Sequence, residues 1–139
     1  MNIATVRLLV VTLWAGSLWT IGYMVAPTLF GTLNDRVLAG VIAGSMFTTG
    51  AWVGMACAVV TLGLLAVSKD VTDERRKTLY IIAGAMLILL LVNHFGLRPM
   101  MAGMKEAGDK AGFGMMHGVS MVVYLVQSLL AVWLVVKNR

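Results

Sequence analysis

Residues Thr78–Leu97 read TLYIIAGAMLILLLVNHFGL, an unbroken run without a single charged side chain. A helix rising 1.5 Å per residue needs about 20 such residues to cross a hydrocarbon layer about 30 Å thick. The run has no polar face, so it is not one side of a soluble core helix. It is bounded by charge, with the cluster KDVTDERRK at Lys69–Lys77 before it and Arg98 after it. The stretch therefore reads as a membrane span, and a chain built around it must satisfy every backbone amide inside helices.

Working outward, three more charge-free stretches run Leu8–Asn34, Val37–Ser68 and Ala111–Val136. Each is long enough to cross once and too short for two crossings with a turn between them. The spans fall at about residues 8–30, 40–67, 78–98 and 112–136. Short connections make sequential helices neighbours, which predicts an all-α, antiparallel up-and-down bundle of four transmembrane helices in a single domain, residues 1–139. Pro27 and Pro99 are structural marks, each expected to end or kink its helix by removing a donor and crowding the preceding turn. The second stretch has surplus length, and its start, VLAGVIAGSMF, suits an interfacial or tilted segment. Beyond Pro99, MAGMKEAGDKAG reads as a helical extension followed by a turn.

Composition agrees. The 139 residues are 60% hydrophobic and 12% charged, with mean hydropathy +0.90, whereas soluble domains carry about 25% charged residues. The net charge of +5 comes from short clusters between apolar runs. Such clusters act as topology signals and form no basic face for nucleic acid. With both termini in the cytoplasm, Arg7, Lys69, Arg75, Arg76, Lys77, Lys137 and Arg139 lie inside, against Arg36, Arg98, Lys105 and Lys110 outside. The bias predicts a multi-pass protein of the cell (inner) membrane with both termini cytoplasmic. The charge run Lys69–Lys77 reads as a solvated loop, and Arg98 as a side chain snorkelling to headgroups. Cys57 is alone, so it forms no internal disulfide and reads as a small apolar core residue. Trp14, Trp19, Trp52 and Trp133 read as lipid-facing or interfacial anchors.

On the second helix, GVIAG and GAWVG place Gly40 with Gly44, and Gly50 with Gly54, at the spacing that lets helix backbones approach closely in lipid. They predict packing within the bundle or against a second copy, so a homo-oligomer or a partner in a membrane complex is expected. On the fourth helix, His117, Ser120, Tyr124 and Gln127 share one face. Polar groups in hydrocarbon need partners, so this face should point into the bundle. Asn93 and His94, with Ser17 and Thr20, are candidate partners. The face serves either interhelical hydrogen bonding or a lined pocket.

No nucleophile elbow, HExxH, Walker loop or dinucleotide fingerprint appears, and no acid lies within a span. The expectation is that the protein is not an enzyme. The stretch Asn93–Gly118 holds both histidines and five of the eleven methionines. Met101 shares a face with His94, and Met121 lies one turn beyond His117. Thioether and imidazole suit Cu(I), so His94, Met101, His117 and Met121 form a candidate soft-metal site. Two histidines at similar depth also suggest a haem. Neither cofactor is firmly implied, since methionine packing explains the same residues.

VAPTLFGTL after the first span, VNHFGLRPMMAGMKEAG at the end of the third and MMHGVSMVV opening the fourth resemble a group of small bacterial membrane proteins. These are the family called domain of unknown function 4149, related to eukaryotic transmembrane protein 205. The most recognisable pieces are Pro27 with Phe30, Pro99 with Met104, and His117, Gly118 and Ser120. The resemblance covers the whole chain. It implies a four-helix bundle in a cellular membrane, no established reaction, and, through the eukaryotic relatives' association with platinum-drug tolerance, a link to soft metals. Tyr124 stands where the pattern suggests asparagine, and His94 lies outside it. The function expected is transport or handling of a small solute, a soft metal ion among the candidates, along the polar bundle interior. The alternative is a non-catalytic structural or assembly subunit of a larger membrane complex.

Overall fold

In the computed structural model, which describes Met1–Arg139 throughout, four long helices account for nearly the whole chain: α1 Ile3–Thr32, α2 Arg36–Val67, α3 Asp73–Glu106 and α4 Lys110–Asn138. All four are long and apolar enough to cross a membrane. Each begins on a residue whose short polar side chain replaces the helix's missing acceptors. Asn2 accepts from the Thr5 amide at 2.8 Å, and Asp35 accepts from Val37 and Leu38. Thr72 accepts from Arg75, and Asp109 from Gly112. The α3–α4 turn passes through Gly108 at φ 74°, a left-handed conformation in which a Cβ would be strained.

The helices pack in a ring, with α1 against α2, α2 against α3, α3 against α4 and α4 back against α1. This is the antiparallel up-and-down bundle that the short connections predict. The surplus of α2 is not a separate interfacial segment, because the helix is continuous from Arg36 to Val67. At about 48 Å, it must tilt or project beyond the hydrocarbon.

Neither proline ends its helix. Instead, each follows a short π-helical turn, Ile21–Val25 before Pro27 and Val92–Leu97 before Pro99. The amide of Ala26 reaches back five residues to the Ile21 carbonyl, and that of Arg98 to Asn93. An α-helical register would press each proline ring on the carbonyl four residues earlier. The wider turn relieves that clash and lets the chain continue as a helix.

The core occupies the half of the bundle nearest the termini. Trp14 is 0% exposed and packs among Val11, Leu65, Leu79, Met86 and Leu134, with Cys57 in the same cluster. Trp14 is thus a core residue and not an interfacial anchor. Gly54 makes this possible, since a Cβ there would strike Leu90 from α3 and Trp14 from α1. Gly50 similarly admits Ile21. The pair Gly40 and Gly44 makes no comparable seam. A Cβ on Gly40 would meet nothing, and one on Gly44 only the Arg98 guanidinium at 3.6 Å.

The same end is tied by charge. Arg7 is 2% exposed and is no solvated topology signal. Its guanidinium donates to Asn138 Oδ1 at 2.7 Å, to Ser68 Oγ at 2.5 Å and to Asp70 at 3.0 Å. Arg76 donates to the carbonyls of Ser68 and Val71, and Arg75 to that of Lys137. The Lys69–Lys77 segment, expected as a freely solvated loop, is therefore part of a network joining all four helices. The hydrogen bond from Arg7 holds the Asp70 carboxyl below the usual carboxylate range.

Candidate functional site

Toward the other end, the bundle opens. The distal segment of α1, Ile21–Thr32, packs on α2, and the distal segment of α3, Arg98–Glu106, packs on α4. Gly22 and Tyr23 still meet Tyr124 and Ser128 of α4, but beyond them no substantial packing joins distal α1 to α4. Two helical hairpins, joined tightly near the termini, thus diverge and leave a cleft of about 650 Å³. That lies within the range of small-molecule sites, about 300–1,000 Å³. Leu18, Leu90 and Gln127, all buried, line its deep end. Phe30, Lys105 and Phe113 line it nearest the distal turns. Below Leu18 the close-packed core stops it, so it is a pocket and not a pore.

The expected polar face, His117, Ser120, Tyr124 and Gln127, lines this cleft together with its candidate partner Asn93. Ser120 Oγ donates to Asn93 Oδ1 at 2.7 Å, joining α4 to α3. Tyr124 donates to the Leu18 carbonyl at 2.6 Å, and a Cβ on Gly22 would collide with its ring. Tyr23 and Phe47 pack edge-on against the same ring. Gln127 is 2% exposed, and its Nε2 has no acceptor within the chain. Of the partners suggested on α1, Ser17 bonds to the Trp14 carbonyl of its own helix and Thr20 is exposed.

His94, Met101, His117 and Met121 also border the cleft. They do not present a set of free ligands. His94 Nδ1 lies 3.3 Å from Arg98 Nη1, and its ring sits edge-on to Phe95 and Trp52. His117 stacks on Phe113, with centroids 5.9 Å apart and planes 6° from parallel. Met121 is mostly exposed, and no cluster of three His, Cys, Asp or Glu side chains exists anywhere in the chain.

The residue that sequence reasoning misplaced is Arg98. Its guanidinium turns inward, donating to Thr48 Oγ1 at 2.9 Å and to the Gly44 carbonyl at 3.0 Å on α2. The two ion pairs of the molecule are Arg7–Asp70 and Arg76–Asp73. Arg98 therefore has no carboxylate partner, and no Asp or Glu lines the cleft. A sequence signal existed. His94, Arg98, Met101 and Lys105 follow the i, i+4, i+7, i+11 spacing of one helical face, and all four line the cleft. Only the distance of Arg98 from the end of the apolar run suggested snorkelling, and distance along a helix says nothing of azimuth.

No curated protein and no solved structure matches the chain. A family model does match, over residues 9–110, from the first span to the start of α4. The chain belongs to the family described as Domain of unknown function (DUF4149).

Proposed function

We propose that the protein binds and handles a small solute in the distal cleft, as a membrane carrier or binding protein and not as a channel. One observation carries this reading: apart from the single Ser120–Asn93 bond, the polar residues of α3 and α4 border a pocket of about 650 Å³. An assembly subunit would be expected to satisfy that face internally, yet Gln127 keeps a buried, unpartnered amide and Arg98 an unpaired charge. The lining is complete within one chain, so forming the site needs no second copy. The charge bias supports an opening on the outer side of the cell membrane, with the termini inside.

Chemistry on the solute is not part of this reading. The Ser120 hydroxyl is committed to Asn93 and the Ser17 hydroxyl to a carbonyl, so no nucleophile faces a base. Cu(I) and haem are also poorly served. A cation would sit beside the permanently charged Arg98, whose hydrogen bond occupies the Nδ1 lone pair of His94.

Blocking the cleft without disturbing the fold tests the proposal. Gly40 lines the pocket and faces open space, so Gly40→Phe should fill it at little cost to packing. Native mass spectrometry of protein extracted in mild detergent should show small-molecule adducts on the wild type that are depleted on Gly40→Phe. Identical adduct patterns, or bare protein in both cases, would leave the cleft without a ligand and favour the assembly role.

A further inference from the structure

We infer that the cleft takes the phosphate headgroup of an anionic membrane lipid, held by Arg98 and Lys105, with the lipid's hydrocarbon along the apolar wall. The inference rests on the reading of the cleft as a binding site and names its ligand class. Three features of the lining lead to it.

The first is charge. Arg98 and Lys105 lie two turns apart on one face of α3, roughly 10 Å along the helix axis, and both border the cleft with no carboxylate among the lining residues. A guanidinium carried into a bundle normally pairs with an acid or a strong acceptor. Here Thr48, the Gly44 carbonyl and His94 orient it without neutralising it.

The second is the direction of the unused hydrogen bonds. Asn93 Oδ1 is taken by Ser120, which leaves its amide protons. Arg98 and Lys105 have only donors. Tyr124 and Tyr23 spend their hydroxyl protons on Leu18 and Ser128. The free polar capacity beside Arg98 is therefore dominated by donors, as an oxyanion requires and a metal cation does not. Phosphate oxygens matched to a guanidinium make the strongest such contacts.

The third is the shape of the opening. Beyond Tyr23, α1 and α4 diverge, and Met121, Val122 and Leu125, exposed residues of α4, belong to the rim. These residues face hydrocarbon when the bundle is in a membrane, so the cleft is open to the side as well as at its distal end. Ile21, Phe47, Ala51 and Leu90 continue the apolar surface inward. A soluble anion would use the cationic end and leave this wall bare. A lipid entering sideways covers the wall with one chain and brings its phosphate to the depth of Arg98, near the end of the apolar run.

The test uses the full chain in a non-ionic detergent and measures binding of palmitoyl lysophosphatidylglycerol. Monopalmitoylglycerol, which has the same chain without phosphate, and inorganic phosphate are the two comparison ligands. The lysophospholipid should bind at least about tenfold more tightly than monopalmitoylglycerol, because charge-assisted hydrogen bonds distinguish them. Arg98→Gln should remove most of that difference. Lys105→Gln, at an exposed position that leaves the fold intact, should reduce it about threefold. Millimolar inorganic phosphate should not displace the lipid. Equal binding of the two palmitoyl ligands, or no change in either variant, would overturn the phosphate assignment while leaving the cleft a binding site. Displacement by inorganic phosphate alone would make the ligand a soluble anion and overturn the lipid. Loss of binding in Gly40→Phe, with Arg98→Gln unchanged, would separate a failed headgroup assignment from a failed cleft.

Discussion

At the scale of single residues, position around the helix decides what identical side chains do. Gly54 and Gly40 are both glycines of α2 in small-xxx-small patterns, but only Gly54 faces a crowded junction, between Trp14 and Leu90. Gly54→Leu should therefore destabilise the bundle by about 1–3 kcal/mol, the usual cost of overpacking, whereas Gly40→Leu should leave the detergent melting profile unchanged. Equal effects of the two substitutions would mean that the Gly54 junction relaxes freely. The arginines divide in the same way. Arg7 is enclosed by Asn138, Ser68 and Asp70, so Arg7→Leu strands the buried Asn138 and Ser68 oxygens and should cost about 2 kcal/mol in denaturant titrations. Arg139, exposed at the terminus, should tolerate replacement by leucine within about 0.5 kcal/mol.

At the scale of elements, the paired features are the π turns before Pro27 and Pro99. A π turn has fewer well-formed backbone bonds than the helix on either side, and it exists here because a proline ring forbids the tighter register. Amides of Val92–Leu97 should exchange with deuterium faster than those of Ile82–Leu90. In Pro99→Ala the ring is gone and the segment can return to an α register, so this contrast should shrink. Persistence of the fast exchange would show that packing against α4, and not the proline, imposes the turn. The sequence signalled the prolines plainly. Its pattern marked the helical extension beyond Pro99 but not the π turns, because the accommodation lies in backbone hydrogen bonds that side-chain pattern does not encode.

At the scale of the whole molecule, one end is tied and the other is open. The tie includes a titratable group, since the hydrogen bond from Arg7 holds Asp70 below the ordinary carboxylate range. A carboxyl depressed in the folded state adds stability that is fully present above its unfolded value of about 3.9. That stability is lost as pH falls through the lower folded value. The difference in melting temperature between wild type and Asp70→Asn should therefore be constant near neutrality and shrink below about pH 4. A difference that grew on acidification would mean that the pair destabilises the fold. Orientation is a property of the whole chain too. Reporter fusions at Arg139 and Gly108 should lie in opposite compartments, with Arg139 inside. An outside signal at Arg139 would reverse the direction in which the cleft opens.

The sequence by itself determined the class of the protein, the four crossings and the face of α4 that carries His117, Ser120, Tyr124 and Gln127. Hydrocarbon thickness sets helix length, and the cost of an unpartnered polar group in lipid fixes which side of a helix turns inward. Tertiary structure alone decided that Trp14 is core, that Arg7 ties α1 to α4 and to the α2–α3 connection, and that Arg98 turns into a cleft instead of out to the headgroups. Arginine and tryptophan can satisfy themselves either at an interface or inside a bundle. Which they do depends on what the neighbouring helices offer: a missing Cβ at Gly54, a carbonyl at Gly44, a hydroxyl at Thr48. Those partners lie tens of residues away along the chain, and only the packing of the four helices brings them within reach.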